Sequence, residues 1–69
     1  MTDSRELTNR IRGAGYTFED VADRLGITRQ ALSNKINNKA EFKQGEIAKI
    51  SHMLKLNLTT TNAIFFDVK

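Results

Sequence analysis

A chain of 69 residues is a single domain, near the lower limit at which one hydrophobic core folds unaided. It contains no cysteine, which removes a disulfide framework and a thiolate metal site, and no apolar run approaches the ~20 residues of a membrane span. Eleven Lys and Arg against eight Asp and Glu give a net charge of +3, a balance common among small domains and only a weak pointer to an anionic partner. The N-terminal stretch MTDSRELTNRIR is polar, carries acids and has no signal-peptide pattern, so a cytoplasmic protein is expected.

Proline is absent, and amphipathic helices are the simplest reading of the chain. From about Ser4 to Arg12, Leu7 and Ile11 form a narrow apolar stripe among Asp3, Arg5, Glu6, Arg10 and Arg12, and Gly13 and Gly15 stop that first helix. Phe18, Val21, Ala22 and Leu25 fall at i, i+3, i+4 and i+7, which predicts a second helix over about 18–25. Thr17 is placed to cap it by accepting from the backbone N–H of Asp20, with Tyr16 stapling onto Val21. Asp20 stands where a capping box would carry Glu, so that box is expected to be approximate. Gly26 supplies the left-handed residue that ends the helix, and Ile27 plugs the turn. Thr28 then caps a third helix, about 29–36, with Leu32 and Ile36 inward. Two short helices joined by a Gly-containing turn make a helix-turn-helix over about 17–37.

Asn37-Asn38-Lys39 ends the third helix, because Asn tolerates the left-handed exit. Phe42 anchors the loop from Lys39 to Lys43. A fourth helix is predicted from about Gln44 to Lys55, with Glu46 in its first turn and Ile47, Ile50 and Leu54 on one face. The tail has a cap at Thr59 and a short helical turn into Ile64, Phe65 and Phe66. Those two phenylalanines either close the bottom of the core or form an exposed patch that pairs with another chain. The fold class that follows is all-α: one compact domain of four helices plus a C-terminal turn.

No catalytic constellation is visible. The sole histidine, His52, sits on the fourth helix beside Lys49 and Lys55, and no Cys or carboxylate stands at a spacing that would make a nucleophile–base pair. One His and scattered acids form no metal-ligand cluster, and no cofactor is implied. Charge is unevenly placed. Between Thr28 and Gly45, Arg29, Lys35, Lys39 and Lys43 face only Glu41, whereas between Thr17 and Ile27 the acids Glu19, Asp20 and Asp23 outnumber Arg24. With Leu32 and Ile36 inward, Arg29, Gln30, Ser33 and Asn34 point outward. These are either ordinary solvated residues or base-reading ones: Arg suits a guanine edge, Gln and Asn an adenine, and Ser several bases.

Ala22 midway along the second helix, Gly26 in the turn, Ile27 after it and Leu32 in the third helix resemble the phage repressor/Cro-type helix-turn-helix family. The run SNKINNKAEFKQGEIAKISHMLKL, with FF near the end, is similar to a subgroup of small phage Cro-like proteins, and the likeness spans about Tyr16 to Phe66. It implies a compact four-to-five-helix lambda-repressor-like DNA-binding domain. It further implies a cytoplasmic transcription regulator in a bacterial host, acting as the repressor of a phage or mobile-element switch. By resemblance, the helix from about 29 to 36 enters the major groove of double-stranded operator DNA, and Thr28, Arg29, Gln30, Ser33 and Asn34 meet base edges. Asn37, Asn38 and Lys39 would hold phosphates, with Lys35 and Lys43 adding salt-dependent attraction. A homodimer is expected on DNA, its two helices ~34 Å apart.

Two positions depart from the family pattern. Many members begin the second helix with Gln, where this chain has Phe18, a core candidate. Many carry an aromatic or aliphatic residue late in the recognition helix, where this chain has Lys35 followed by Ile36, which blurs which of Ser33, Asn34 and Lys35 faces the groove. The alternative function is a phage modulator or antirepressor that binds another repressor protein and masks its DNA-binding face. Glu19, Asp20 and Asp23 would be its contacts, since they would sit near phosphates in a standard docking and suit a basic partner better.

Overall fold

Four of the five helices among the described residues open on a side chain that takes up an orphan backbone N–H. The computed structural model describes residues 1–67, and its elements are α1 (Ser4–Gly13), α2 (Phe18–Leu25), α3 (Arg29–Ile36), α4 (Gln44–Met53) and α5 (Leu58–Phe65). Asp3 accepts from Glu6 N at 3.1 Å, Thr28 from Ala31 N at 3.0 Å and Asn57 from Thr60 N at 2.8 Å. At the start of α2 the box is complete rather than approximate. Thr17 Oγ1 accepts from Asp20 N at 3.1 Å and Asp20 Oδ2 accepts from Thr17 N at 2.8 Å, so Asp reaches back as Glu would. Gly26 leaves α2 at φ 71° and Asn38 leaves the α3 turn at φ 64°, both in the left-handed region expected of them.

Helix α2 is the hub, packed most closely on α3 and also on α4, while α1 bridges α3 and α5, and α5 rests on α1 and α4. The core gathers Leu7, Ile11, Val21, Leu32, Ile36, Ile50 and Ile64, with Ala22 at 2% exposure within it. Tyr16, Phe18, Ile27 and Phe42 are partly buried against that core. Phe18 is therefore a packing residue, as expected.

The C-terminal third differs from the sequence reading in two ways. Helix α4 ends at Met53 rather than Lys55: Leu54 is its cap, Lys55 adopts φ 55°, and Leu56 N donates back to Ser51 O at 2.9 Å. That reversal turns Met53 into the core beside Ile50 and leaves Ile47 and Leu54 only partly buried. The tail is a full helix, not a turn, because Asn57 rather than Thr59 caps it. Starting earlier brings Thr61, Ile64 and Phe65 onto one buried side. The phenylalanine pair is split. Phe65 packs edge-on against Phe42 with ring centroids 5.2 Å apart, whereas Phe66 is 57% exposed.

The segment ahead of α1 ties two distant ends together. Asn38 accepts from Thr2 N at 2.8 Å and donates to Thr2 O at 2.9 Å, and Asp3 N donates to Ile64 O at 2.7 Å. Ser4 Oγ donates to Ile36 O. The exit of α3 and the end of α5 are thereby linked through a buried Thr2.

Ala22→Leu overpacks the core that α2 and α3 share and should cost about 1–3 kcal/mol in urea denaturation. Lys55→Ala, on an exposed turn, should shift stability by less than about 0.5 kcal/mol. Asn38→Ala loses both bonds to Thr2 and a residue at ease with positive φ, and should cost about 1–3 kcal/mol. Asn38→Gly keeps the conformation and should cost less; equal losses would mean that backbone geometry plays no part there.

Candidate nucleic-acid interface

The side of α3 turned away from the core is polar and partly self-ordered. Thr28, Arg29 and Gln30 are exposed, Ser33 and Asn34 are half-buried, and Asn37 is exposed at the helix end. Gln30 Nε2 donates to Asn34 Oδ1 at 3.1 Å, and Asn37 Nδ2 donates to Ser33 Oγ at 3.3 Å. These are i,i+4 neighbours, so the contacts hold the side chains along the helix instead of letting each sample its own rotamers. Remaining amide N–H groups and carbonyl lone pairs on Gln30 and Asn34 are left for an outside partner. Thr28 uses its hydroxyl oxygen to cap α3, and its O–H can still donate outward.

Two residues expected among the phosphate contacts are internal ties instead. Lys35 lies on the flank of α3 that faces α4, where Nζ donates to Glu46 Oε1 at 2.6 Å and both side chains are only 12% exposed. Asn38 gives both ends of its amide to Thr2. The ambiguity over the rotation of α3 closes accordingly: Leu32 and Ile36 are inward, Lys35 faces α4, and Gln30 and Asn34 face outward. Lys39 and Lys43 are exposed, as is Asn37.

One basic residue escaped the sequence reading. Arg12, in the last turn of α1, lines a shallow hollow with Arg29, Thr17, Phe18 and Glu19 at the start of α2. The only signal for it in the sequence is a cation just before a Gly-rich turn, which serves a helix C-terminus equally well. The acids Glu19, Asp20 and Asp23 are exposed along α2, and Asp20 is engaged in the capping box. The face is thus mixed in sign, with Arg12 and Arg29 flanking Glu19. His52 is exposed on α4, and among the described residues no set of His, Cys, Asp or Glu gathers to hold a metal ion. No helix among them is long and apolar enough to cross a membrane.

The carboxyl of Glu46 has a displaced pKa. Burial pushes its carboxyl up, but the Lys35 bond, the N–H of Lys43 at 2.8 Å and the charges of both lysines together outweigh this and hold it below the ordinary value of 4.5. A depressed folded pKa contributes stability that is complete above that ordinary value and disappears as pH falls through the folded one. Glu46→Gln should therefore lower stability by about 1 kcal/mol at pH 7, the difference between a charge-assisted and a neutral bond. Urea midpoints of the two proteins should converge as pH drops below 4.5. A gap that stays constant with pH would show that the ion pair adds nothing.

No curated protein matches the chain. Residues 1–68, which include every helix and both faces of the α2–α3 unit, match the family described as Protein of unknown function (DUF739). The chain belongs to this DUF739 family.

Proposed function

We propose that the protein is a sequence-specific DNA-binding transcription regulator, a Cro-like repressor of a phage or mobile-element switch, that lays α3 in the major groove of operator DNA. The observation that carries this reading is the outer face of α3. Arg29, Gln30, Ser33 and Asn34 stand on a helix whose opposite side is locked by Leu32 and Ile36 at 0% and 2% exposure. A rigid helix with a polar, amide-rich outer edge is what direct readout requires. Arg29 suits a guanine, and the Gln30–Asn34 pair suits adenine edges. Arg12, which lines a hollow with Arg29, and the exposed Asn37, Lys39 and Lys43 suit phosphates, which position without reading. Lys35 and Asn38 act inside the fold, Lys35 by fixing α3 against α4. The activity is occlusion of promoter DNA, with no reaction and no cofactor.

A second reading has its own support. Glu19 and Asp23 are exposed on α2 and form no ion pair among the described residues. Such a surface suits the basic DNA-binding face of another repressor, and the chain would then act as a modulator that masks it.

Selection of binding sites from random duplex DNA by the purified chain tests the first reading. Against a selected site, Gln30→Ala and Asn34→Ala should each cost about 1–3 kcal/mol, with far smaller losses on random DNA. Because the two side chains bond each other, their double mutant should lose less than the sum. Lys39→Ala should weaken all sequences alike and reduce the salt slope by about one, whereas Lys35→Met should leave that slope unchanged. Equal losses on selected and random DNA for the amide variants would overturn base reading by α3.

The acidic face separates the two functions. Changing Glu19 to Gln and Asp23 to Asn together should leave DNA affinity unchanged or raise it by removing repulsion from phosphates. If the protein is a modulator, the same pair of changes should weaken binding to a basic repressor domain, most at low salt. Loss of repressor binding, in a wild type that selects no DNA site, would replace the first reading with the second.

A further inference from the structure

Helix α3 is seated on a narrow apolar row. Of its eight residues only Leu32 and Ile36 are fully buried, and a spacing of four sets them about 40° apart around the axis. Burial of hydrocarbon is non-directional, so a row this narrow leaves the helix free to roll about it. The Thr28 cap, the bond from Ser4 to Ile36 O and the bonds of Asn38 to Thr2 hold the two ends of α3 rather than its flank. Lys35 stands about 80° from the buried row and about 100° from the outward Gln30 and Asn34. It reaches across to α4, a helix that packs chiefly on α2 and α5.

The acceptor on the far side is itself fixed. Glu46 Oε1 accepts from Lys35 Nζ at 2.6 Å and from Lys43 N at 2.8 Å, so the start of its own helix already holds the carboxylate that meets the lysine. Both side chains are only 12% exposed, where water competes little for the bond. We propose that this bond is the positioning device of α3: it fixes the roll of the helix and thereby the direction in which Gln30 and Asn34 point. A charged pair enclosed in this way adds little net stability over an apolar pair of the same volume, but it is satisfied in one geometry. That directional demand is what the contacts of Leu32 and Ile36 lack.

Small rolls matter at the outer edge. Side-chain ends lie ~5–6 Å from the axis of a helix, so a roll of ~20° carries them ~2 Å. The donor–acceptor distance of a good hydrogen bond spans only ~0.5 Å. A face that reads base edges therefore needs its roll held more closely than the fold does. For base reading the inference rests on the proposed DNA function; for the geometry of α3 it does not.

The free protein gives the first test. Lys35→Met combined with Glu46→Gln removes both charges together, so neither is left enclosed alone, and Gln keeps the box that starts α4. Helical circular dichroism should be retained. Residual dipolar couplings of the Cα–Hα bonds, which radiate from the helix, should shrink in α3 relative to α2 as α3 samples several rolls. Lys35→Arg keeps a cation facing Glu46 and should retain the wild-type couplings. The second test uses DNA. The double variant has the wild-type net charge, so its affinity for random duplex should not change. Its preference for a selected site should fall at least ~10-fold, the equivalent of one base contact. Wild-type couplings in the α3 of the double variant would overturn the proposal, as would Lys35→Arg couplings as reduced as those of the double variant. So would a double variant that unfolds, because the pair would then hold the fold rather than aim the helix, or one with reduced couplings and full discrimination. A chain that selects no DNA site removes the DNA reading alone, and the couplings then decide the role of the pair.

Discussion

Helices of eight to ten residues are too short to persist alone in water, so each helix here holds only through the core it shares with the others. That constraint falls hardest on α2. It alone packs closely on both α3 and α4, and its small buried residue, Ala22, lies in the core it shares with α3. Local chemistry reduces the burden. A complete capping box at Thr17 and Asp20 and a left-handed Gly26 fix both ends of α2, and Thr28 starts α3 at once. The angle between α2 and α3 follows from this short, doubly capped connection together with Ile27 and Leu32 packed beneath it. A face carried on α3 therefore inherits the rigidity of the core.

The polar residues of α3 divide by what lies across from them. Lys35 meets Glu46 on α4 in a pocket that is mostly closed to water, and that pair fastens α3 to α4 at one defined spacing. Asn38, held at positive φ, fastens the exit of α3 to Thr2 and, through Asp3, to the end of α5. The side chains of Gln30, Asn34, Ser33 and Asn37 bond along their own helix. Polar chemistry that looks uniform in the sequence thus performs two jobs: anchoring on the inward flank and presenting an amide-lined edge outward. The proposed DNA contact belongs to the second set and the stability of the domain to the first.

An analogous division runs through α5. Its inner side closes the core with Ile64 and with Phe65 set edge-on against Phe42, while its outer side carries no ionisable side chain. The polar outward side of α3 and the outer side of α5 are separate surfaces of one small domain, with α1 packed on both helices.

Much of this was legible in the sequence. Apolar residues at helical spacing, Leu7 with Ile11 and Val21 with Ala22 and Leu25, determine which side each of the first helices buries. Side chains that bond their own backbone determine where helices begin, as with Thr17 and Thr28, and both signals act between near neighbours in the chain. The candidate outward set on α3 follows from the same periodicity, given Leu32 and Ile36 inward. Where two local signals competed, tertiary packing decided. Asn57 and Thr59 can each cap a helix, and the earlier start prevailed by bringing Ile64 and Phe65 together onto the core. Neither the ending of α4 at Met53 nor the parting of Phe65 from Phe66 is written in adjacent residues. The roles of Lys35 and Asn38 depended wholly on partners 11 and 36 residues away in the chain. A lysine or an asparagine carries no mark of which distant group it will meet; only the folded arrangement of α4 and the N-terminal segment turned these two from expected contacts into internal ties.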